Sequence, residues 1–376
     1  MYQYKLNVKM NSIRPIIHTS MLDAANHLIQ HGWTVINAFD QHQTEIYKHD
    51  LLTELQYYSD DHTFFTDIPR VLGGMIKSGH LSMSRTLHSI RKNVRPKYHS
   101  VIKELPNEIT QRFLDHPIPE TPEELNCNPD ALFVSSGIPP IFPPRAGVGS
   151  DGLWWHIDAS RERTFVQSSV ILDNPEGSEE FCVISGSHNY FYELQERVSD
   201  TNRMVDDWFM LDASDTQFLK DHNCEPVSML LPPGAMVLWF STTVHTVKPP
   251  KNHLISPRIQ IYVCFGTFTH LDVDVQKDIK NMKTSAILFG TSCRHLPYPC
   301  SFDWQEKFGG GYVHLYYRDL IYPHKLEIDM PWIFGWHSLD FTDDELSVYG
   351  ITAAELKTNV QNWNQQYKYL WLKKMN

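Results

Sequence analysis

Cysteine is scarce in this chain. Six occur in 376 residues, at Cys127, Cys182, Cys224, Cys264, Cys293 and Cys300, with no Cys-x-x-Cys pair and no dense spacing. That argues against a disulfide framework and for reduced thiols. Long apolar runs are missing too. Nowhere do about 18 consecutive apolar residues occur, the length a membrane-crossing helix needs. The opening MYQYKLNVKMNSIRPIIHTS holds no continuous apolar segment of the kind found in signal peptides. No Lys/Arg run appears, and the net charge is −11 with a pI near 6.0. A predominantly electrostatic nucleic-acid binder is therefore disfavoured. These absences together predict a soluble, cytoplasmic protein with no membrane span.

What is present is enough for a large core: 41% hydrophobic and 12% aromatic residues. Three stretches follow one another without an obvious linker or repeat. Residues 1–129 read as mostly helical, with periodic apolar positions in MLDAANHLIQHGW and HSVIKELPNEITQRFL. Residues 130–270 change to short runs rich in β-branched and aromatic residues: ALFVSS, TFVQSSVILD, EFCVIS, VSMLL, AMVLWF and RIQIYVCFGTF. Turn chemistry separates them at DNPEGSEE, LPPGA and KPPKNHLISP. Many short strands without a helix between each pair predict a mainly β protein with flanking helices, its antiparallel core a jelly roll. Residues 271–376 form a C-terminal extension with two capping-box patterns, Thr342-x-x-Glu345 and Thr352-x-x-Glu355. The three parts are expected to pack as one integrated domain.

Within the β region, GLWWHIDASRERTF places His156 and Asp158 on either side of Ile157. Two His-x-Asp triplets occur in the chain, about as many as chance provides for 20 histidines and 26 aspartates. The triplet alone therefore carries little information. Its position carries more, because it lies in extended-looking sequence just before TFVQSSVILD. Residues i and i+2 of a strand share a face, so both side chains could reach one point. An imidazole and a carboxylate suit a borderline divalent metal such as Fe(II), commonly held by two His and one carboxylate with the other positions open.

The second histidine is sought in PPGAMVLWFSTTVHTVKPP, where His245 ends an apolar strand. The next strand begins near Arg258. A simple hairpin register would return Arg258 opposite residue 246, beside the candidate ligand, where its fork could hold a carboxylate bidentately. The other triplet, His270-Leu271-Asp272, lacks such company. Its next histidine is His295, too close for the intervening strands, His314 has Arg318 only four residues on, and no arginine follows His324. His270 and Asp272 read as strand-end and loop polar residues. His188 reads as a turn or packing histidine, one of Trp154 and Trp155 as a possible cavity wall, and FGGGY at 308–312 as a turn without phosphate-loop spacing.

His156-Ile157-Asp158, the distal His245, Arg258 thirteen residues later and the ISGSHNY segment resemble the phytanoyl-CoA dioxygenase family of Fe(II)/2-oxoglutarate oxygenases. The resemblance covers roughly residues 130 to 270. It implies a double-stranded β-helix (jelly-roll, cupin-like) core. It further implies Fe(II) held by His156, Asp158 and His245, and 2-oxoglutarate held by Arg258. O2 would be the second co-substrate and ascorbate an accessory reductant. Two departures stand out. Ser185-Gly186-Ser187-His188 replaces the family's Pro-Gly-Ser-His. Val247 stands where several members carry a Ser or Thr that contacts the co-substrate. Asp158 itself favours hydroxylation, because related halogenases carry Ala or Gly there. The acidic pI points to a small-molecule or lipid-like substrate rather than nucleic acid. Two other readings stay open: a non-catalytic jelly-roll binding protein, and an oxoacid-independent cupin-type dioxygenase. A buried charged cluster argues against the first, and a guanidinium at 258 against the second.

Overall fold

A computed structural model describes residues 11–59, 85–127, 132–134, 155–160, 163–176, 180–199, 204–205, 208–248, 258–289 and 342–358. The chain divides into two compact units. The first comprises Met1–Lys48, Lys97–Ile118 and Phe133–Cys264.

A short strand β1 (Asn11–Ile13) leads into helix α1 (Met21–His31). Ser20 starts the helix by accepting from the Asp23 amide at 3.2 Å, and Ala24, Ala25 and Leu28 form its buried stripe. Gly32 ends it at φ 81°, donating its amide to the Leu28 carbonyl at 2.8 Å. A Cβ there would meet His188 Nδ1 and Thr243 Oγ1, each at 2.6 Å, so the position also needs glycine for space. Strand β2 (Trp33–Asn37) follows at once. The apolar periodicity of residues 1–129 predicts mostly helix, and β1 and β2 depart from that expectation. Strands this short, joined directly to a helix by its C-cap glycine, leave no alternation long enough to notice.

Helices α2 (Gln41–Ser59), α3 (Arg85–Ile102) and α4 (Asn107–Phe113) come next, then β3 (Asn126–Cys127) and β4 (Leu132–Val134). The central run holds β5 (His156–Ile157), β6 (Val166–Asp173), β7 (Glu180–Ser185), helix α5 (Phe191–Ser199), β8 (Met204–Val205) and β9 (Trp208–Met210). Helix α6 (Ala213–Asp221), β10 (Glu225–Met229), β11 (Ala235–Phe240), β12 (His245–Lys248), β13 (Ile259–Tyr262) and β14 (Phe265–Gly266) complete it. The runs EFCVIS and AMVLWF form strands over their full length, and TFVQSSVILD forms one from its third residue.

Two sheets result. One has the order β1-β10-β7-β12-β5-β9-β8 and the other β2-β11-β6-β13-β4. Apart from the parallel β1–β10 edge, strands pair antiparallel, as in β10–β7, β11–β2, β11–β6, β12–β5, β12–β7, β13–β6, β5–β9 and β8–β9. Successive core strands alternate between sheets: β5 and β7 lie in the first, β6 between them in the second; β10 and β12 in the first, β11 and β13 in the second. This winding is the jelly roll that the strand pattern predicts, in the double-stranded β-helix form that the family resemblance implies. Phe181, Val183 and Met229 of one sheet pack with Val35, Ile171, Val237 and Trp239 of the other in one apolar cluster. On the opposite face of the seven-stranded sheet, Ile157, Cys182 and Ile184 pack with Phe191, Leu194 and Leu219 of α5 and α6.

The second unit comprises His49–Pro96, Pro119–Leu132 and Phe265–Asn376. Its interior is polar as well as apolar. Tyr349, fully buried, accepts from Arg91 Nη1 at 2.9 Å and contacts the His88 ring nitrogen. Both capping boxes form, with the Glu345 and Glu355 amides donating to Thr342 and Thr352 at 3.2 and 3.1 Å. Cys127, Cys182, Cys224 and Cys264 are free and buried, while Cys293 and Cys300 lie outside the described residues. Among the described residues no helix is long and apolar enough to cross a membrane.

Candidate metal centre

Strand β5 lies between β12 and β9, and the register sets His156 directly across from His245. Their rings are 4.3 Å apart. Ile157 turns to the opposite face and joins the α5–α6 cluster, so Asp158 returns to the side of His156. The Asp158 amide donates to the Ser241 carbonyl at 3.3 Å, which holds this residue to the turn preceding β12. Asp158 Oδ2 is 3.3 Å from His245 Nε2 and 3.9 Å from His156 Nε2. One ligand atom from each of the three lies within 4.8 Å of the other two.

The donor set fits a divalent ion. With bonds of about 2.1 Å, neighbouring ligands on one octahedral face stand about 3 Å apart. The 3.3 Å pair is already near that spacing, and the 3.9 Å pair needs to close by less than one ångström. The His245 tautomer is also set. Its Nδ1 donates to the Thr243 carbonyl at 3.0 Å, leaving Nε2 as the acceptor facing Asp158. Gln167 Nε2 donates to Asp158 Oδ2 at 2.9 Å from the start of β6. Phe181 and Trp239 stand around His245 at 6.3 and 5.4 Å between centroids. The His156 side chain is 21% exposed against 8% for Asp158 and 6% for His245. The approach from solvent is thus on the His156 side, where Trp208 lies 6.1 Å away between rings.

Arg258 is fully buried and immediately precedes β13. Its expected hairpin register does not hold. β12 pairs with β5 and β7, whereas β13 pairs with β6 in the other sheet. The reason is the winding itself: the chain changes sheet between β12 and β13, so the two never become partners. Arg258 therefore leads into a strand of the five-stranded sheet and is not a cross-strand neighbour of β12.

The remaining sequence candidates sort themselves. His188 packs between Phe113 and Phe240, and its Nε2 donates to the Ile29 carbonyl at 3.0 Å. Burial pushes its pKa down to about 4, as in a packing histidine. Trp155 is buried in the cluster under α5 and α6, and Trp154 lies outside the described residues. His270 and Asp272 are exposed, and Asp272 Oδ1 accepts from the Asp274 amide at the start of the following helix, as expected of loop polar residues. His295, His314, His324 and the FGGGY segment lie outside the described residues. Two residues that sequence reasoning passed over are Gln167 and Trp208. The signal for Gln167 was a buried-face amide in an otherwise apolar and small-residue strand; Trp208 gave none.

No family model matches the chain, and no curated protein sequence matches it. The resemblance to the phytanoyl-CoA dioxygenase family thus rests on the motif residues. Among solved structures, the chain is similar to EctD from S. alaskensis with 2-oxoglutarate and 5-hydroxyectoine. The identity is 14%, covering 70% of this chain and 82% of that one, with a TM-score of 0.40. It is similar to AviO1 from Streptomyces viridochromogenes Tue57 at 14% identity, over 68% and 98% of the two chains, TM-score 0.40. The epimerase SnoN in complex with Fe3+, alpha ketoglutarate and nogalamycin RO is 13% identical over 66% and 84%, TM-score 0.35. Likenesses this distant assign neither substrate nor site residues to this chain.

Proposed function

We propose that the chain is an Fe(II)- and 2-oxoglutarate-dependent dioxygenase that hydroxylates a small-molecule or lipid-like substrate, with release of succinate and CO2. The observation that carries this reading is the convergence of His156, Asp158 and His245, with the His245 tautomer set by Thr243. Two imidazoles and one carboxylate are the donor set of oxygenase iron, and they leave positions open for exogenous ligands. When bound, such an ion activates O2 and polarises a chelating oxoacid.

The chain's own residues supply the rest. Gln167 holds Asp158 Oδ2, so the carboxylate keeps one orientation whether or not a ligand is present. Arg258, fully buried, offers the bidentate fork that a distal carboxylate requires. Phe181 and Trp239 keep bulk water from the His245 side. The more exposed His156, with Trp208 beside it, faces the direction from which substrate arrives.

The test is turnover without substrate. Purified protein given Fe(II), ascorbate and 2-oxoglutarate is expected to form succinate slowly, and Asp158→Ala to abolish it. Equal succinate from both proteins refutes the assignment. The same assay against lipids, acyl thioesters, amino acids and oligonucleotides then identifies the substrate class by its stimulation of succinate formation.

A further inference from the structure

Helix α1 carries two histidines four residues apart, His27 and His31, and residues at that spacing share one helix face. Gly32 then reverses the chain into β2, so Trp33 returns beside that face. Its ring lies edge-on to His27 at 4.6 Å and stands 6.4 Å from His31. Ahead of the helix, the His18 amide donates to the Val35 carbonyl at 2.9 Å, which sets residue 18 alongside the same strand. Three imidazoles are collected in this way from one short segment. The His18 and His27 rings are 5.0 Å apart, and the His27 and His31 rings 4.4 Å.

That spacing is the one a shared ion produces. With metal–nitrogen bonds of about 2.1 Å, the ring centres of imidazoles on one ion stand about 4.5 Å apart at right angles and about 5.2 Å apart at the tetrahedral angle. His156 and His245, at 4.3 Å, show a similar separation at the candidate metal centre. The ring nitrogens are prepared as well. His27 Nδ1 donates to the Trp33 carbonyl at 2.7 Å, which leaves Nε2 as the acceptor. His31 Nδ1 lies 3.1 Å from Ser185 Oγ on β7, at the position where the phytanoyl-CoA dioxygenase pattern has a proline, which offers no side-chain hydrogen bond. His18 Nε2 is buried without a hydrogen-bond partner among the described residues, a costly state for a ring nitrogen. Burial, reinforced by the neighbouring His31 and His18, lowers the His27 pKa to about 4, and burial lowers that of His31. Both rings are therefore neutral at pH 7, the form that ligates a metal. All three side chains keep partial exposure, which leaves an entry path. Among the described residues, the donor atoms of His156, Asp158 and His245 already lie within 4.8 Å of one another. Here the rings of His18 and His31 must turn to meet His27, and His18 Nε2 has no bond to give up.

We propose that His18, His27 and His31 form a second metal site, one that takes zinc with water in the fourth position. Imidazole nitrogen suits zinc, and three histidines with one open position satisfy its tetrahedral preference. By joining residue 18 to two turns of α1, the ion fastens the segment before the helix to the helix itself. The site shares no residue with the candidate iron centre and does not depend on the oxygenase reading.

The test is zinc stoichiometry, measured by equilibrium dialysis at micromolar free Zn(II), with melting curves of every metal-free variant. Wild type is expected to hold two ions per chain. The double variant His156→Ala/Asp158→Ala should hold one, and adding His27→Gln to it should leave none. In the same background, His18→Gln and His31→Gln should each weaken the remaining ion by more than the roughly 10–100-fold that loss of an outer partner costs. Zn(II) should raise the melting temperature of the double variant and lose that effect with His27→Gln. Should metal-free melting show that His27→Gln does not fold, His18→Gln and His31→Gln decide. One ion in wild type and none in the double variant overturns the histidine site and leaves the candidate centre standing. One ion in both supports the histidine site and removes the centre. An ion held with unchanged affinity after any of the three His→Gln substitutions overturns the three-histidine set.

Discussion

Replacing Gln167 with leucine removes one hydrogen-bond donor from Asp158 while keeping most of the side-chain volume. Gln167 is fully buried and its Nε2 lies 2.9 Å from Asp158 Oδ2, the same oxygen that stands 3.3 Å from His245 Nε2. Hydrogen bonds to charged groups contribute about 1.5–3 kcal/mol. Groups that orient a metal ligand from behind typically govern 10–100-fold in metal affinity, which is about 1.4–2.7 kcal/mol. The two routes agree, so Gln167→Leu is expected to weaken metal binding by one to two orders of magnitude. Mn(II), redox-stable in air, serves as the probe, with free ion followed by its paramagnetic resonance signal. Melting of the metal-free proteins checks that the fold is intact, because a general packing defect would lower the melting temperature of the metal-free form as well. A Gln167→Leu protein that binds Mn(II) within twofold of wild type refutes the view that this amide positions the carboxylate.

Arg258→Ala is expected to reduce 2-oxoglutarate affinity by about 2–5 kcal/mol, roughly 30-fold to several thousand-fold, while Mn(II) binding survives; equal 2-oxoglutarate affinity would remove the arginine from the site. Acid should destabilise the first unit through His188. Burial lowers its folded pKa to about 4 from 6.5, so the unfolded chain binds the extra proton between those values and stability falls as pH drops through that window. At 1.36 kcal/mol per pKa unit the loss is roughly 3 kcal/mol, complete by about pH 4. Urea midpoints of wild type and His188→Phe between pH 7 and 4 should therefore converge in acid, and parallel curves would refute it. Gly234→Ala places a Cβ 2.6 Å from the Phe39 carbonyl oxygen at φ 83°. It should cost on the order of 1–3 kcal/mol, read as a lowered melting temperature; an unchanged melt would show that the turn relaxes freely.

Much of the site was legible because its logic is local. The i, i+2 placement of His156 and Asp158 depends only on strand alternation, and Ile157 goes to the opposite cluster as that alternation requires. His245 was found near the end of an apolar run, but AMVLWF stops at Phe240, five residues before it, and His245 opens β12 instead of closing that strand. Capping chemistry at Thr342 and Thr352 was equally local, since each box is closed within four residues.

Tertiary structure decided what no window of sequence contains. Strand pairing between β5 and β12 brings residues 89 positions apart into one cross-strand pair. The crossing between sheets after β12 placed the strand that follows Arg258 against β6 instead of β12, because antiparallel register can be inferred from a turn only when the strands remain in the same sheet. Strand β2 reached the edge of the five-stranded sheet from the N-terminal region for the same reason: an unpaired edge takes whichever segment burial brings to it, wherever that segment lies in the chain. Gln167 became a partner of Asp158 only through the return of β6. The residue types of the candidate metal centre are written in the chain, but the distances between them are set by the winding of two sheets around one apolar core.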